Sequence, residues 1–304
     1  MCGTCGCGDG AKARVTNLQT GEEAVMEHDH AESDGHFHTH ADGTRHSHSH
    51  DRHHDHDHDH RHAHDRHLHE NGAHARPVAV TLETRLLAKN DALAAKNRAW
   101  FAGREILALN LVSSPGAGKT TLLERTIRDL KDDLPLFVIE GDQATAHDGE
   151  RIRAAGAPAV QVNTGTGCHL EADMVAKGIS QLRPGAGAVL FIENVGNLVC
   201  PALFDLGERA KAVIFSVTEG EDKPLKYPNM FAAAELMILS KIDLLPHLDF
   251  NRAAAIAYAR EVNPGIKILQ LSARSGEGLE SWYGWLRTQR DAVKEEAFSG
   301  AAAT

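Results

Sequence analysis

SSPGAGKTT, residues 113–121, stands between the apolar run ILALNLV (106–112) and a stretch of helical length, Thr120–Leu130. It nearly fits the pattern G-x-x-x-x-G-K-[ST], in which a glycine-rich turn between strand and helix cradles phosphate. Gly116 and Gly118 let the backbone approach an anion with its N–H groups pointing inward, at the positive end of a helix. Ser113 replaces the first glycine of the pattern and is small enough to be tolerated. Lys119 is placed to reach the β and γ phosphates, and Thr120 to offer its hydroxyl to Mg2+. The expected nucleotide loop is therefore Gly116, Ala117, Gly118, Lys119, Thr120 and Thr121. A glycine-rich turn with a chance lysine is the bland alternative, and the strand-before, helix-after context disfavours it.

Further apolar runs follow at LFVIE (136–140), PAVQV (158–162), AVLFIE (188–193), AVIFSV (212–217), ELMILS (235–240) and KILQLS (267–272). Between most of them lie helical lengths such as His169–Leu182, Phe250–Val262 and Gly278–Arg290. Upstream, Val80–Phe101 carries Leu82, Leu86, Leu93 and Trp100 before Gly103, a helical stripe with a stop. Continuous apolar runs suit strands covered on both faces. The alternation predicts an α/β P-loop fold, a mostly parallel sheet flanked by helices, with ligands at the carboxyl ends of its strands.

The 304 residues carry a formal net charge of -10 with no basic stripe, which argues against a nucleic-acid partner. No run approaches the ~18 apolar residues of a membrane span. Met1-Cys2-Gly3 does not begin a signal peptide, so the expected location is the cytoplasm. Residues 1–75 hold almost no large apolar side chains and read as disordered, because little burial offsets their ordering entropy. The expected division is an N-terminal segment 1–27, a histidine-rich tract 28–75 and a globular domain 76–304.

Eighteen of the 21 histidines lie between His28 and His74, densest in HSHSHDRHHDHDHDHRHAHDRHLH (46–69). His46, His48, His50, His53, His54, His56, His58, His60, His62 and His64 fall in that stretch. Neutral imidazole is the commonest side-chain ligand for zinc, nickel and copper, and the alternative is a solvated low-complexity spacer. Cys2, Cys5 and Cys7 form C-x-x-C-x-C, and with the N-terminal amine they offer four donors for square-planar Ni2+; Zn2+ would prefer a tetrahedron. Cys168-His169 and Cys200 offer soft and borderline ligands for nickel or zinc, against the reading of cysteine as a small buried hydrophobe.

SKID (240–243) ends another strand and resembles the N/T-K-x-D guanine-reading motif. Asp243 would accept both the N1 and N2 hydrogens of guanine, and the stem of Lys241 would lie along the ring. Ser272-Ala273-Arg274 resembles the S-A-K loop that closes over the base, and together these point to GTP. Glu140-Gly141-Asp142 and Glu193-Asn194-Val195-Gly196-Asn197 each end a strand. Asp142 and Glu193 are expected to order Mg2+ with Thr120, Gly196 to sense the γ phosphate, and Lys119 and Asp142 to carry hydrolysis. The bland alternative has these acids capping helices or facing solvent.

CGTCGCG, VSSPGAGKTTLLE, IEGDQAT, NTGTGCHLEADM, ENVGNLVCPALFDLGE and SKIDLLP together resemble the HypB family, GTPases that help deliver nickel to [NiFe]-hydrogenase. The resemblance covers residues 1–7, the histidine tract and nearly all of 76–290. It implies a high-affinity nickel site at Cys2, Cys5 and Cys7, and a metal site at Cys168, His169 and Cys200 near a nucleotide-sensitive homodimer interface. It also implies nickel storage in the tract, GTP, Mg2+, Ni2+ and Zn2+ as cofactors, and HypA-like maturation factors and the hydrogenase large-subunit precursor as partners. The urease GTPase UreG is the rival, but its metal motif is Cys-Pro-His, and Cys200-Pro201 is followed by Ala202. A nickel store with little GTPase activity is the other alternative. Replacing Asp243 by Asn is expected to weaken GTP binding and favour xanthine nucleotides; unchanged GTP affinity in a nucleotide titration would refute the base assignment.

Overall fold

The computed structural model describes residues 13–25, 37–39, 45–47, 76–142, 147–165 and 167–301. Cys2, Cys5, Cys7 and the histidines from His48 to His64 lie outside the described residues. The chain divides into two compact units, Met1–Met26 with Leu82–Thr304, and Glu27–Thr81. The larger contains β1 (Arg14–Asn17) and β2 (Glu23–Val25). In the smaller, β3 (Phe37–Thr39) and β4 (Arg45–Ser47) pair antiparallel, with His38 opposite His46.

Each of the seven apolar runs forms a strand. They are β5 (Leu107–Ser113), β6 (Leu136–Asp142), β7 (Ala159–Asn163), β8 (Val189–Glu193), β9 (Ala210–Ser216), β10 (Leu236–Ser240) and β11 (Lys267–Gln270). The long helices are α1 (Arg76–Ala102), α2 (Lys119–Leu130), α3 (His147–Ala155) and α4 (Ala172–Leu182). Short α5 (Cys200–Leu203), α6 (Lys223–Lys226) and α7 (Pro228–Ala233) precede α8 (Arg252–Val262) and α9 (Leu279–Ala301). The sheet order is β11-β10-β9-β5-β8-β6-β7-β1-β2. β5 to β11 are mutually parallel. After β5 the chain moves to one side for β6, β7 and β8, then crosses to β9, so the turn after β5 sits where the strand order reverses, the usual ligand crevice.

Alternation along β5 separates the core layers. Leu107, Leu109 and Leu111 pack with Leu122, Leu123 and Ile127 of α2 and Trp282 and Leu286 of α9. Ala108 faces the other layer, with Phe101 of α1 and Met174, Val175 and Ile179 of α4. Each fully buried leucine contributes roughly 2 kcal/mol, so the strand and helix that flank the phosphate loop are anchored on both sides of it. The indole Nε1 of Trp282 donates to Thr126 Oγ1 (2.9 Å), locking α9 onto α2.

Two expectations need correction. Residues 13–25 are not outside the globular unit, because β1 pairs antiparallel with β7 and β2 pairs with β1. Ala13 and Val15 are buried, and Asn17 Oδ1 accepts from the Gln19 and Thr20 amides to turn the chain into β2. A pair this short, closing an otherwise open parallel edge, carries too few apolar residues for composition to detect. The second correction concerns α1. Among its described side chains the buried ones are Asn90, Ala94, Asn97 and Phe101, whereas Leu86 is 56% exposed. Asn90 Nδ2 donates to Asp205 O (2.7 Å), and Asn97 Nδ2 donates to Ala172 O (2.8 Å) and Leu206 O (3.0 Å). Small and amide side chains serve here because Gly207 packs backbone-close, a Cβ there falling 2.6 Å from Ala94 O. Asn97→Ala, which leaves two buried carbonyls without this donor, is expected to cost about 2 kcal/mol in urea unfolding; a loss below ~0.5 kcal/mol would contradict this account.

Candidate functional site

Ser113 ends β5 and Lys119 begins α2, so the intervening turn occupies the carboxyl edge of the sheet. Gly116 (φ 74°) and Gly118 (φ 95°) are left-handed, a conformation glycine adopts without Cβ cost. Ser113 is still strand, is buried, and donates from Oγ to Ser114 O (2.8 Å). The missing first glycine is therefore harmless, because that position does not require positive φ.

Lys119 Nζ donates to Asn194 O at 2.6 Å and lies 3.6 Å from Glu193 Oε1. Thr120 Oγ1 donates to the same Glu193 oxygen at 2.7 Å. The second oxygens of Glu193 and Glu140 are buried without a hydrogen-bond partner. Burial, then the charges of Glu193 and Asp142, push the Glu140 carboxyl up to about 9. Burial also raises Glu193, opposed by Lys119. Orphaned carboxylate oxygens beside a threonine hydroxyl and Asp142 are hard donors, and they fit a divalent cation such as Mg2+. The cleft these groups share is about 480 Å³, and the phosphate loop, Asp142, Arg151, Gly196 and Lys241 line it.

Ser240 Oγ donates to Ala117 O (2.7 Å) and Lys241 Nζ to Gly116 O (2.6 Å), so the SKID segment braces the phosphate loop. That bond explains a serine where the motif has asparagine. Ile242 N donates to Leu271 O (3.4 Å), which sets Ser272-Ala273 beside Asp243's turn. Asp243, Ser272 and Ala273 stand outside the lining of the phosphate cleft, past Lys241.

Cys168, His169 and Cys200, distant in sequence, come together with all ligand atoms within 4.8 Å. The two sulfurs are 3.0 Å apart, and His169 Nδ1 is 3.7 Å from Cys168 Sγ. Adjacency of Cys168 and His169 thus does not prevent both from facing one point. Burial holds the His169 pKa down at about 4, so at neutral pH the ring keeps a free lone pair. It lies against Phe204, ring centroids 3.9 Å apart.

Two asparagines of ENVGN, which the sequence reading left without a role, join the cleft to this cluster. Asn194 Oδ1 accepts from Leu170 N (3.1 Å) and Val195 N (3.0 Å). Asn197 donates from Nδ2 to Cys168 O (3.3 Å) and accepts from Val199 N (2.9 Å). Arg151 was also missed as a site residue, and Glu140 was read at an acidic strand end without a role of its own. A lone charge within a strand (Glu140 in β6) or a helix (Arg151 in α3) is common in proteins of every kind, so the sequence carries little signal for either.

The family described as CobW/HypB/UreG, nucleotide-binding domain, matches residues 107–270, from the first residue of β5 to the last of β11. That match, with a phosphate loop at the sheet's crossover, makes this a P-loop nucleotide-binding protein of the CobW/HypB/UreG class. The hydrogenase maturation factor HypB of Azotobacter chroococcum mcd 1 is 63% identical over 213 residues, 70% of each chain. That of Escherichia coli (strain K12) is 59% identical over 225 residues, 73% of this chain and 78% of the other. A crystal structure of HypB from Helicobacter pylori in complex with nickel matches at TM-score 0.63 and 37% identity, covering 67% of this chain and 96% of that one. The chain belongs to the HypB family of hydrogenase maturation factors. Among the described residues no helix is long and apolar enough to cross a membrane.

The folded Glu140 carboxyl keeps its proton to about pH 9, whereas its ordinary value is 4.5. Its stabilising contribution is complete below pH 4.5 and is lost as pH rises toward 9, and Glu193 acts in the same direction. His169 acts oppositely, costing stability as pH falls from 6.5 to about 4. Nucleotide-free protein is expected to lose stability from pH 6.5 to 9, and Glu140→Gln to reduce that slope. An unchanged slope in urea unfolding across this window would contradict the burial argument.

Proposed function

We propose that this chain is a slow Mg2+-dependent GTPase that holds nickel and helps insert it into [NiFe]-hydrogenase, nucleotide state governing the metal. The observation that carries this reading is the bond from Lys119 to the Asn194 carbonyl, in the loop that also grips Leu170 and Cys168. GTP competes for Lys119, whose charge neutralises the β and γ phosphates. Thr120, Asp142, Glu193 and Glu140 would hold Mg2+, which stabilises charge on the transferred phosphoryl group. Asp243 and Lys241 read guanine, with Ser272 and Ala273 closing over it. Gly196, whose Cβ position would fall 3.1 Å from Pro115, keeps the loop backbone close enough to sense the γ phosphate. No glutamine follows Gly196 in the ENVGNLVCPALFD segment to orient water, which favours slow turnover.

Cys168, His169 and Cys200 supply three ligands, one short of a closed tetrahedral site. Val199 (50% exposed) and Leu203 (48% exposed) flank Cys200 and offer an apolar face to a second subunit, which would complete the metal's surroundings. A symmetric dimer follows naturally. Cys2, Cys5, Cys7 and the histidine tract would gather Ni2+ in the cytoplasm, with Zn2+ as a competitor. HypA-like factors and the hydrogenase precursor are the expected partners. The names of the relatives, hydrogenase maturation factors, favour this over a urease-type GTPase.

Because β1 and β2 belong to the sheet, truncation at residue 76 would remove part of the fold; deleting 28–74 spares both. In that deletion, with Cys2, Cys5 and Cys7 replaced by Ala, nickel affinity is expected to differ between GDP and a non-hydrolysable GTP analogue by roughly 5- to 150-fold. Cys200→Ala should abolish this binding and spare GTP. Equal nickel affinities in calorimetry, unaffected by Cys200→Ala, would reduce the cluster to ordinary buried cysteines.

A further inference from the structure

Among the described residues three cations line the phosphate cleft, Lys119, Lys241 and Arg151, and the scheme above gives Arg151 no part. It lies on α3, and its guanidinium is held at both ends. Nη2 is 2.7 Å from Glu124 Oε2, Nη1 is 2.9 Å from Asp148 Oδ1, and Nη2 is 3.4 Å from Thr121 Oγ1. Thr121 stands in the first turn of α2, next to Thr120, so a phosphate seated on that helix end would meet the guanidinium. Neither retaining acid is stranded if Arg151 moves. Glu124 keeps Arg128, whose Nη2 is 3.3 Å from Oε1, and Asp148 is 41% exposed to water.

Resting on the nucleotide-binding reading, we infer that Arg151 is a ligand of the nucleotide's phosphate chain, kept in reserve by Glu124 and Asp148. A polyphosphate offers more charge and more acceptor oxygens than one carboxylate, and the planar guanidinium fork suits it. In such loops the lysine reaches the β and γ phosphates while the backbone cradles α and β. Thr121, one residue beyond the Mg2+-directed Thr120, puts Arg151 on the α and β side. Its contact is therefore common to GTP and GDP. Glu124 opposes nucleotide binding by competing for the same guanidinium.

The test is titration of the full-length protein with GDP and with a non-hydrolysable GTP analogue, together with steady-state hydrolysis. Arg151→Ala is expected to weaken both nucleotides about tenfold, the effect of one charge-assisted hydrogen bond. KM should rise far more than kcat falls, and Arg151→Lys should fall between. Glu124→Gln should act in the opposite direction, tightening both nucleotides about threefold, and the double variant should behave as Arg151→Ala. Unchanged affinities in a folded Arg151→Ala would overturn the assignment. So would weakening by Glu124→Gln, the mark of a structural brace, or a fall in kcat with GDP affinity intact, which would place the contact on the γ phosphate. If the wild-type protein bound no guanine nucleotide, the proposed function would fail with it. Wild-type binding that Arg151→Ala leaves untouched overturns the Arg151 assignment alone.

Discussion

The ammonium of Lys119 sits 2.6 Å from the Asn194 carbonyl, and much of the site's behaviour depends on that contact. A lysine with only 11% of its side chain exposed must satisfy its charge locally, and Glu193 and the loop carbonyl do so without phosphate. The loop that offers the carbonyl also sends one asparagine side chain to Leu170 and another to Cys168. Moving the lysine therefore perturbs the backbone that positions the thiols. A single buried cation thus gives the oxygen-lined cleft and the cluster of Cys168, His169 and Cys200 a shared mechanical support.

Low dielectric sharpens this arrangement. Glu140 and Glu193 point buried oxygens into the cleft, where ionising both without a cation is unfavourable. The pocket is consequently built for positive charge it does not itself fully supply. At His169 burial has the opposite effect and keeps the ring neutral, the form that metal binding requires. One physical cause, desolvation, prepares an oxygen site to receive a cation and a nitrogen to donate a lone pair.

The scaffold around these groups is densely packed and hydrogen-bonded. β5 is buried along its whole length between α2 and α9 on one face and α1 and α4 on the other. Ser240 and Lys241 brace the phosphate loop from β10, and the loop after β8 closes it from the opposite side. α1 holds its place through amide side chains that reach the carbonyls of Ala172, Asp205 and Leu206. Those carbonyls lie next to α4 and just beyond α5, close along the chain to the segments that carry Cys168, His169 and Cys200.

Much of this architecture was legible in the residues alone. Continuous apolar runs announce strands buried on both faces, so all seven parallel strands were visible, as was the GKT turn between strand and helix. Cysteine and histidine announce metal chemistry by type. What depends on close approach was not visible. Cys168 and Cys200 are 32 residues apart in sequence, and only the parallel sheet, which sets β7 and β8 on either side of β6, brings their following loops to one edge. The buried face of α1 escaped notice because Asn90 and Asn97 satisfy carbonyls that exist only once α4 and the 205–207 turn have packed against them. β1 escaped because a four-residue strand is stabilised by the edge it covers rather than by its own composition. Local pattern records what a segment can bury, whereas hydrogen bonds between distant segments depend on the shape into which the whole chain has closed.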